Sequence, residues 1–167
     1  MKIEVLVKNN SFGVYATDFI FKNEKIFNIS ERFAVADHPT KYSVQIDIKK
    51  HIEELHSLNS LSHPESFWRY LNHSCNPNAW FKIDEMTLYA LQDIHSGEHI
   101  TFNYLTTEYE MASPFICGCG SERCFKNIRG FKYLDDKQKE LIFPFAADHI
   151  KRIFNKDNIL QSDIEIC

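Results

Sequence analysis

Apolar and polar residues alternate from the start of the chain. Ile3, Val5 and Val7 are spaced by Lys2, Glu4 and Leu6, and this period of two predicts a strand. Asn9, Asn10, Ser11 and Gly13 read as a turn, after which Val14 to Ala16 resume an extended segment. Phe19-Ile20-Phe21 leads into Lys22-Asn23-Glu24, and Lys25 to Ile29 reads as another strand. Glu31 to Thr40 has no period and reads as irregular. Tyr42 to Ile48 alternates Tyr, Val and Ile with Ser, Gln and Asp and predicts a strand. His51 to Ser66 is polar, with Leu55, Leu58 and Leu61 three apart, the spacing of a short helix or 3₁₀ piece. Phe67 to Leu71 is aromatic and reads as buried. Ala79 to Ile83 and Thr87 to Leu91 flank Asp84-Glu85-Met86 as a hairpin, and Ile100 to Leu105 is the last clear core strand. From Asp135 to Phe154, Leu141, Phe145 and Ile150 stand among Lys, Glu and Asp, and Pro144 breaks the run into two short helices.

One unit occurs twice. Ala16-Thr-Asp-Phe-Ile-Phe-Lys-Asn-Glu-Lys-Ile reads beside Ala90-Leu-Gln-Asp-Ile-His-Ser-Gly-Glu-His-Ile, so that Ala16 and Ala90, Ile20 and Ile94, Glu24 and Glu98, and Ile26 and Ile100 coincide. Gly97 stands where Asn23 stands, which predicts a left-handed turn residue at both places. Two copies do not make a solenoid. They predict two similar strand–turn–strand pieces in a β core.

Composition narrows the classes. A chain of 167 residues suits one domain, and 44% hydrophobic residues, with fourteen Phe and seven Tyr, can fill a sizeable core. The net charge of −4 argues against a general nucleic-acid binder and is compatible with a basic partner. No apolar run approaches the roughly 20 residues of a membrane span. The opening M-K-I-E-V-L-V-K is not a secretory signal, so the expected compartment is cytoplasmic or nuclear, with reduced cysteines.

Two stretches carry chemistry. Tyr70 to Asn78 reads Y-L-N-H-S-C-N-P-N, a turn with a histidine and a cysteine that Pro77 helps to fix. Phe115 to Cys124 reads F-I-C-G-C-G-S-E-R-C. Cys117, Cys119 and Cys124 are three closely spaced thiolates, which suit the sulfur-rich tetrahedral coordination of structural zinc. They are one ligand short. Cys75 is the leading candidate for the fourth, Cys167 is the other cysteine, and a histidine is also available. A disulfide with a free thiol is the competing reading, and it fits a reducing compartment poorly. Gly118 and Gly120 let the backbone turn tightly around an ion.

Taken together these stretches resemble the SET-domain protein lysine methyltransferases that carry a post-SET zinc segment. Arg69 to Asn78 matches the family's R-F-x-N-H-S-C-x-P-N, and Gly97 to Tyr104 matches G-E-E-L-T-F-D-Y. Cys117, Cys119 and Cys124 match C-x-C-x₄-C, and Ser11-Phe12-Gly13 stands at the family's G-x-G. The resemblance runs from about Met1 to Gly130, and two of its departures matter. Ser11 replaces the first glycine of G-x-G, and Asn103 replaces the aspartate before the tyrosine, keeping a hydrogen-bonding group without the charge.

The resemblance implies a mainly β fold of several short, mostly antiparallel sheets, with a pseudo-knotted active-site turn and short C-terminal helices. It divides the chain into a SET domain (1–110), a post-SET zinc segment (111–134) and a helical tail packed on the same domain (135–167). It implies S-adenosylmethionine as cofactor. Phe12 and Gly13 would border it with backbone groups, and Arg69, Tyr70, Asn72 and His73 would line it. Asn72 would use both amide roles toward its amino-acid end, and Phe115 would cover the adenine. Tyr104 would stand at the methyl-transfer site, and one structural zinc would be held by Cys75, Cys117, Cys119 and Cys124. Phe102 would occupy a Phe/Tyr switch position that, as Phe, favours di- or trimethylation unless Tyr42 or Tyr89 supplies a hydroxyl. The implied activity is methyl transfer to a lysine amine of a protein, with a basic histone tail among the candidate partners and no direct nucleic-acid binding expected. The alternative reading is a non-catalytic, zinc-stabilised peptide-binding module of the same fold.

Overall fold

The computed structural model describes residues 1–29, 33–54 and 64–164. Among these residues the strands form four small sheets. The first begins as a hairpin. Strand β1 (Ile3–Lys8) pairs antiparallel with β2 (Ser11–Ala16) in a register running from Ile3↔Ala16 to Lys8↔Ser11. The turn is only Asn9 and Asn10, at φ of 51° and 60°, a region that Asn tolerates and that matches strand twist. Ser11 and Gly13, predicted in the turn, belong to β2. Gly13 is needed for space, because a Cβ there would lie 2.6 Å from His99 Nε2 and 3.1 Å from the Tyr15 ring.

Strand β10 (His99–Phe102) pairs antiparallel with β2 through His99↔Tyr15 and Ile100↔Val14. On its other edge it pairs parallel with the two-residue β7 (Asn72–His73), through Thr101↔Asn72 and Phe102↔His73. A second sheet has the order β3 (Lys25–Asn28), β9 (Thr87–Ala90), β8 (Ala79–Lys82). The predicted β8–β9 hairpin is present, and Met86 takes the left-handed position at φ 49°. A third sheet has the order β4 (Phe33–Ala36), β6 (Lys50–Glu54), β5 (Val44–Asp47), and β11 (Phe115–Ile116) pairs with β12 (Asn127–Ile128).

The internal repeat is a local pseudo-two-fold. The Gly97 amide donates to Ala16 O at 2.7 Å and the Asn23 amide to Ala90 O at 2.8 Å. Ala16 N donates to Glu98 O and Ala90 N to Glu24 O, both at 3.0 Å, while Ile20 and Ile94 exchange a pair of 2.9 Å bonds. Within each turn the glutamate carboxylate accepts from the backbone three residues earlier, Glu24 from Phe21 N and Glu98 from His95 N. Asn23 and Gly97 have φ of 67° and 83°, as predicted. Each turn thus completes the hydrogen bonding of the strand flanking the other.

Some expectations need correction. Phe33–Ala36 is strand β4 inside a stretch read as irregular; four consecutive apolar residues carry no alternation. His51–Glu54 lies in β6, not in a helical piece, and its polar side chains hide it from a hydrophobic pattern. The leucines Leu55, Leu58 and Leu61 lie outside the described residues. Strand β10 stops at Phe102, because Asn103 caps a 3₁₀ turn, Tyr104–Thr106, by accepting from Leu105 N at 3.0 Å. The tail divides as predicted into α1 (Asp136–Ile142) and α2 (Asp148–Ile164), separated by a 3₁₀ turn containing Pro144. Asp135 and Gln138 form a capping box at the start of α1.

Two apolar cores result. One gathers Val14, Ile20, Ile52, Phe81, Leu88, Ile94, Ile100 and Phe102 from the sheets. The other gathers Leu105, Cys117, Ile128, Phe131, Ile142 and Ile150 from the C-terminal third. Phe102 ends the first and Leu105 begins the second, so the 3₁₀ turn carrying Tyr104 sits on the seam.

Candidate active site

The turn from Leu71 to Asn78 is stitched to β10 beyond the β7 pairing. Ser74 N donates to Phe102 O at 3.0 Å. The Asn78 amide acts as a short strand edge, donating to His99 O at 2.9 Å and accepting from Thr101 N at 2.9 Å. Tyr104 closes the arrangement by donating its hydroxyl to Leu71 O at 2.6 Å. Its ring lies 5.0 Å from Phe102, 5.3 Å from His73 and 6.2 Å from Phe115. Phe102 and Tyr104 therefore share one site although Tyr104 is not on the strand. Burial, with the nearby Glu108 carboxyl second, raises the phenol pKa, so Tyr104 is a neutral hydroxyl at working pH.

The sulfurs of Cys75, Cys117, Cys119 and Cys124 all lie within 4.8 Å of one another, with Cys75 Sγ 3.9 Å from Cys117 Sγ and 3.8 Å from Cys124 Sγ. A tetrahedron of zinc–sulfur bonds about 2.3 Å long has edges of about 3.8 Å. Backbone amides point at three of the sulfurs: Cys119 N at Cys117, Phe125 N at Cys75 and Lys126 N at Cys124, each at 3.4 Å. Such donors stabilise thiolates. His73 supports the same cluster. Its Nδ1 accepts from Tyr104 N at 3.1 Å, which places the proton on Nε2, 3.3 Å from Cys75 Sγ. Burial lowers the His73 pKa to about 4, so the ring is neutral and donates to the sulfur. One imidazole thus joins the cysteine cluster to the backbone of the tyrosine turn. The four sulfurs fit zinc; Cys167 lies outside the described residues.

On the β2 side, the Asn72 amide nitrogen donates to Phe12 O at 2.8 Å and lies 3.2 Å from His99 Nε2. With both N–H bonds committed within the protein, Oδ1 is the group left for an external donor. This narrows the two amide roles expected of Asn72 to one. Phe12 is 55% exposed, and its ring lies 5.2 Å from Tyr70. Arg69 pairs with Glu54, and its guanidinium lies 5.0 Å from the Tyr42 ring and 5.8 Å from the Tyr70 ring. Phe115 stands 5.6 Å from His73 on the opposite side of the tyrosine turn. The structure thus brings together Phe12, Tyr70 and Asn72 on one side and His73, Tyr104 and Phe115 on the other. Arg69 is held by Glu54 and Tyr42 at the margin.

The other tyrosines raised for the Phe102 position are engaged elsewhere. Tyr89 donates its hydroxyl to Glu85 at 2.6 Å on the exposed hairpin, and Tyr42 lies against Arg69. Both departures from the motif have local explanations. Ser11 is at the exposed hairpin tip, opposite Lys8. Asn103 is buried and acts as a cap, a task an uncharged amide performs without the cost of burying a carboxylate.

Two residues that the sequence reading did not single out stand beside the site. His99 was quoted only as part of a motif. Glu108 sits in T-T-E-Y, which has no distinguishing pattern, yet it is buried, accepting from Gln45 N at 2.8 Å and Thr107 Oγ1 at 3.2 Å. Burial pushes its pKa up to about 7 against those two hydrogen bonds.

Comparison with known proteins agrees with this geometry. A family model described as "SET domain" matches residues 11–105. The chain is 41% identical over 71 residues to a Candida albicans histone-lysine N-methyltransferase described as H3 lysine-36 specific, covering 39% of this chain and 8% of that one. It is 38% identical over 63 residues to the Aspergillus flavus methyltransferase flvH, covering 36% and 35%. It is 28% identical over 139 residues to a putative histone-lysine N-methyltransferase of Plasmodium falciparum, covering 73% of this chain and 2% of that one. The matches thus span about a third or less of these relatives. Among solved structures, KRYPTONITE in complex with mCHG DNA and SAH superposes with a TM-score of 0.53 at 19% identity, over 75% of this chain and 28% of that one. That likeness shows the fold.

Proposed function

This chain belongs to the SET-domain family, and from that membership we propose that it transfers methyl groups from S-adenosylmethionine to a lysine side-chain amine of a protein. What supports the reading most is the seating of Tyr104: a neutral hydroxyl tied to Leu71 O, ringed by Phe102, His73 and Phe115, one turn from Asn72. When bound, S-adenosylmethionine would supply a sulfonium methyl: the amine lone pair forms the C–N bond as the C–S bond breaks, leaving S-adenosylhomocysteine and a methylated ammonium that loses a proton to solvent before any further transfer.

The protein's residues have four tasks. The first is to bind the cofactor. Oδ1 of Asn72 would accept from its ammonium, the backbone of Phe12 and Gly13 would border it, and Tyr70, Arg69, His73 and Phe115 would form the walls. The second is to present lysine neutral, which costs about 4–5 kcal/mol at pH 7 against a reference pKa of about 10.4. The apolar rings of Phe102, Tyr104 and Phe115 lower that cost by desolvating the amine. The third is orientation. With its proton held by Leu71 O, the Tyr104 oxygen offers its lone pairs to the reacting groups and stabilises the transition state electrostatically. Its raised pKa makes it an unsuitable general base. The fourth is product control. Phe102 has no hydroxyl with which to hold a water in the space a methylated amine needs, so di- and trimethylation are favoured.

One zinc held by Cys75, Cys117, Cys119 and Cys124 fastens the post-SET segment to the active-site turn. The division into 1–110, 111–134 and 135–167 forms part of this reading. The net charge of −4 suits a basic protein segment, such as a histone tail, as substrate. A nuclear or cytoplasmic compartment follows from such a substrate. No described helix is long and apolar enough to cross a membrane. The motif departures at Ser11 and Asn103 are what would favour a non-catalytic module, and Ser11 stands at the exposed hairpin tip while Asn103 serves as a cap. Incubation with methyl-labelled S-adenosylmethionine and a panel of basic peptides and proteins tests the proposal: label should appear on lysine in at least one, and binding of peptides with no transfer would favour the non-catalytic module.

A further inference from the structure

His99 is built into the wall behind Asn72. It sits on β10 opposite Tyr15, stacks on that ring at 4.7 Å with an interplanar angle of 17°, and fills the space that a side chain at residue 13 would need. Its backbone carbonyl is held by Asn78, so strand, stack and neighbouring glycine all fix the imidazole. Its Nε2 lies 3.2 Å from Asn72 Nδ2. The Phe12 carbonyl, 2.8 Å from the same nitrogen, can only accept, so it dictates that the amide nitrogen and not the oxygen faces inward. Nε2 of His99 must then be the acceptor, and the imidazole proton resides on Nδ1.

We propose that His99 is a positioning residue for cofactor binding: as a neutral imidazole it holds the Asn72 amide with Oδ1 turned outward to the cofactor's ammonium, and protonation of His99 breaks that hold. A protonated Nε2 presents N–H to the Asn72 N–H. The amide must then lose the bond or turn, which sets Oδ1 against Phe12 O and aims a donor at the ammonium. The groups facing His99 favour the neutral state. Lys8 from β1 holds its ammonium 3.9 Å from the centre of the Tyr15 ring, Tyr15 comes from β2, and Asn72 and Asn78 are uncharged. Burial first and Lys8 second lower the His99 pKa from its usual value. The motif has a glutamate at this position, which stays ionised where histidine titrates. The replacement therefore makes this chain's cofactor site proton-sensitive. The inference rests on Asn72 binding the cofactor as proposed above.

The test compares wild type, His99→Gln and His99→Leu. A glutamine oxygen reaches the place of Nε2, accepts from Asn72 and does not titrate; leucine offers no acceptor. In the cofactor-free protein, the Asn72 side-chain amide resonances should shift with the titration of the His99 ring from about pH 8 to about pH 5 in wild type and stay constant in His99→Gln. As the His99 ring becomes protonated, the Kd for S-adenosylmethionine should rise severalfold in wild type and by no more than about twofold in His99→Gln, with His99→Leu already weak at the upper pH. Loss of metal on acidification would affect wild type and His99→Gln alike, so their difference isolates the histidine. Asn72 resonances that ignore the titration of His99, or equal pH dependence of Kd in wild type and His99→Gln, would overturn the proposal. If Asn72 follows His99 but no variant binds the cofactor at any pH, the coupling stands and the methyltransferase reading fails.

Discussion

Tyr104 is the residue to which the proposed function gives the central part in the chemistry, and its surroundings set what its removal should do. Tyr104→Phe keeps the ring among Phe102, His73 and Phe115 but leaves Leu71 O without its donor. Turnover should fall by roughly 10²-fold or more while the Kd for S-adenosylmethionine changes much less. The lost hydrogen bond should cost about 1 kcal/mol of stability, read by denaturant melts. A mutant with wild-type turnover would show that the hydroxyl has no part in the reaction. At Phe102, buried against Phe81 and Tyr104, Phe102→Tyr should shift the product toward monomethyl-lysine in a mass-resolved time course. Wild-type product that stops at one methyl with excess cofactor would contradict the role given to Phe102. At this scale the sequence was legible where rare residue types repeat a motif: Cys75, His73 and Tyr104 do meet. It was silent on Glu108 and His99, whose importance comes from burial and from neighbours distant in sequence.

Among the elements, the least self-sufficient is the short pair β11–β12. Its two-residue strands flank the cysteines and bring few side chains to the second core, Ile128 buried in it and Phe115 packed against it. A zinc ion bound there as proposed would supply much of its order, coupling metal to local folding. Cys75→Ser removes the one ligand that comes from the active-site turn. It should lower bound zinc and speed amide hydrogen exchange across 115–128 much more than in the β1–β2 hairpin. Unchanged zinc content and exchange would rule out Cys75 as a ligand. Element by element, the sequence showed what has a period or a breaker: the β1–β2 and β8–β9 hairpins and the helix break at Pro144. It missed β4 and β6, because a strand of four consecutive apolar residues and one rich in charged residues are specified by their sheet partners rather than by their own pattern.

For the whole molecule, the most legible feature was the repeat around Asn23 and Gly97, since a pseudo-two-fold imposes the same turn chemistry on two segments. The least legible was the seam between the two cores, where Glu108 is buried beneath Tyr104. In the unfolded chain a glutamate loses its proton near 4.5, whereas in the fold Glu108 keeps it to about 7. Between those values the folded state binds the extra proton, so this group's contribution to stability is fully present below 4.5 and is lost as pH rises through 7. The difference amounts to about 3 kcal/mol. Burial lowers the pKa of His51, His73, His99 and His149, which acts in the opposite direction, so the glutamate is isolated by comparison with Glu108→Gln. That variant should gain stability relative to wild type as pH rises from 5 to 8, by thermal melts across pH; a constant difference would show that the carboxyl is ionised throughout. The central claim is methyl transfer to lysine at the Tyr104 site. The most direct measurement is mass spectrometry of a basic lysine peptide incubated with S-adenosylmethionine and either wild-type or Tyr104→Phe protein. The account requires methyl increments mapped to a lysine side chain with wild type and their near-absence with the mutant. Increments of equal size with both proteins, or methyl groups mapped to a residue other than lysine, would contradict it.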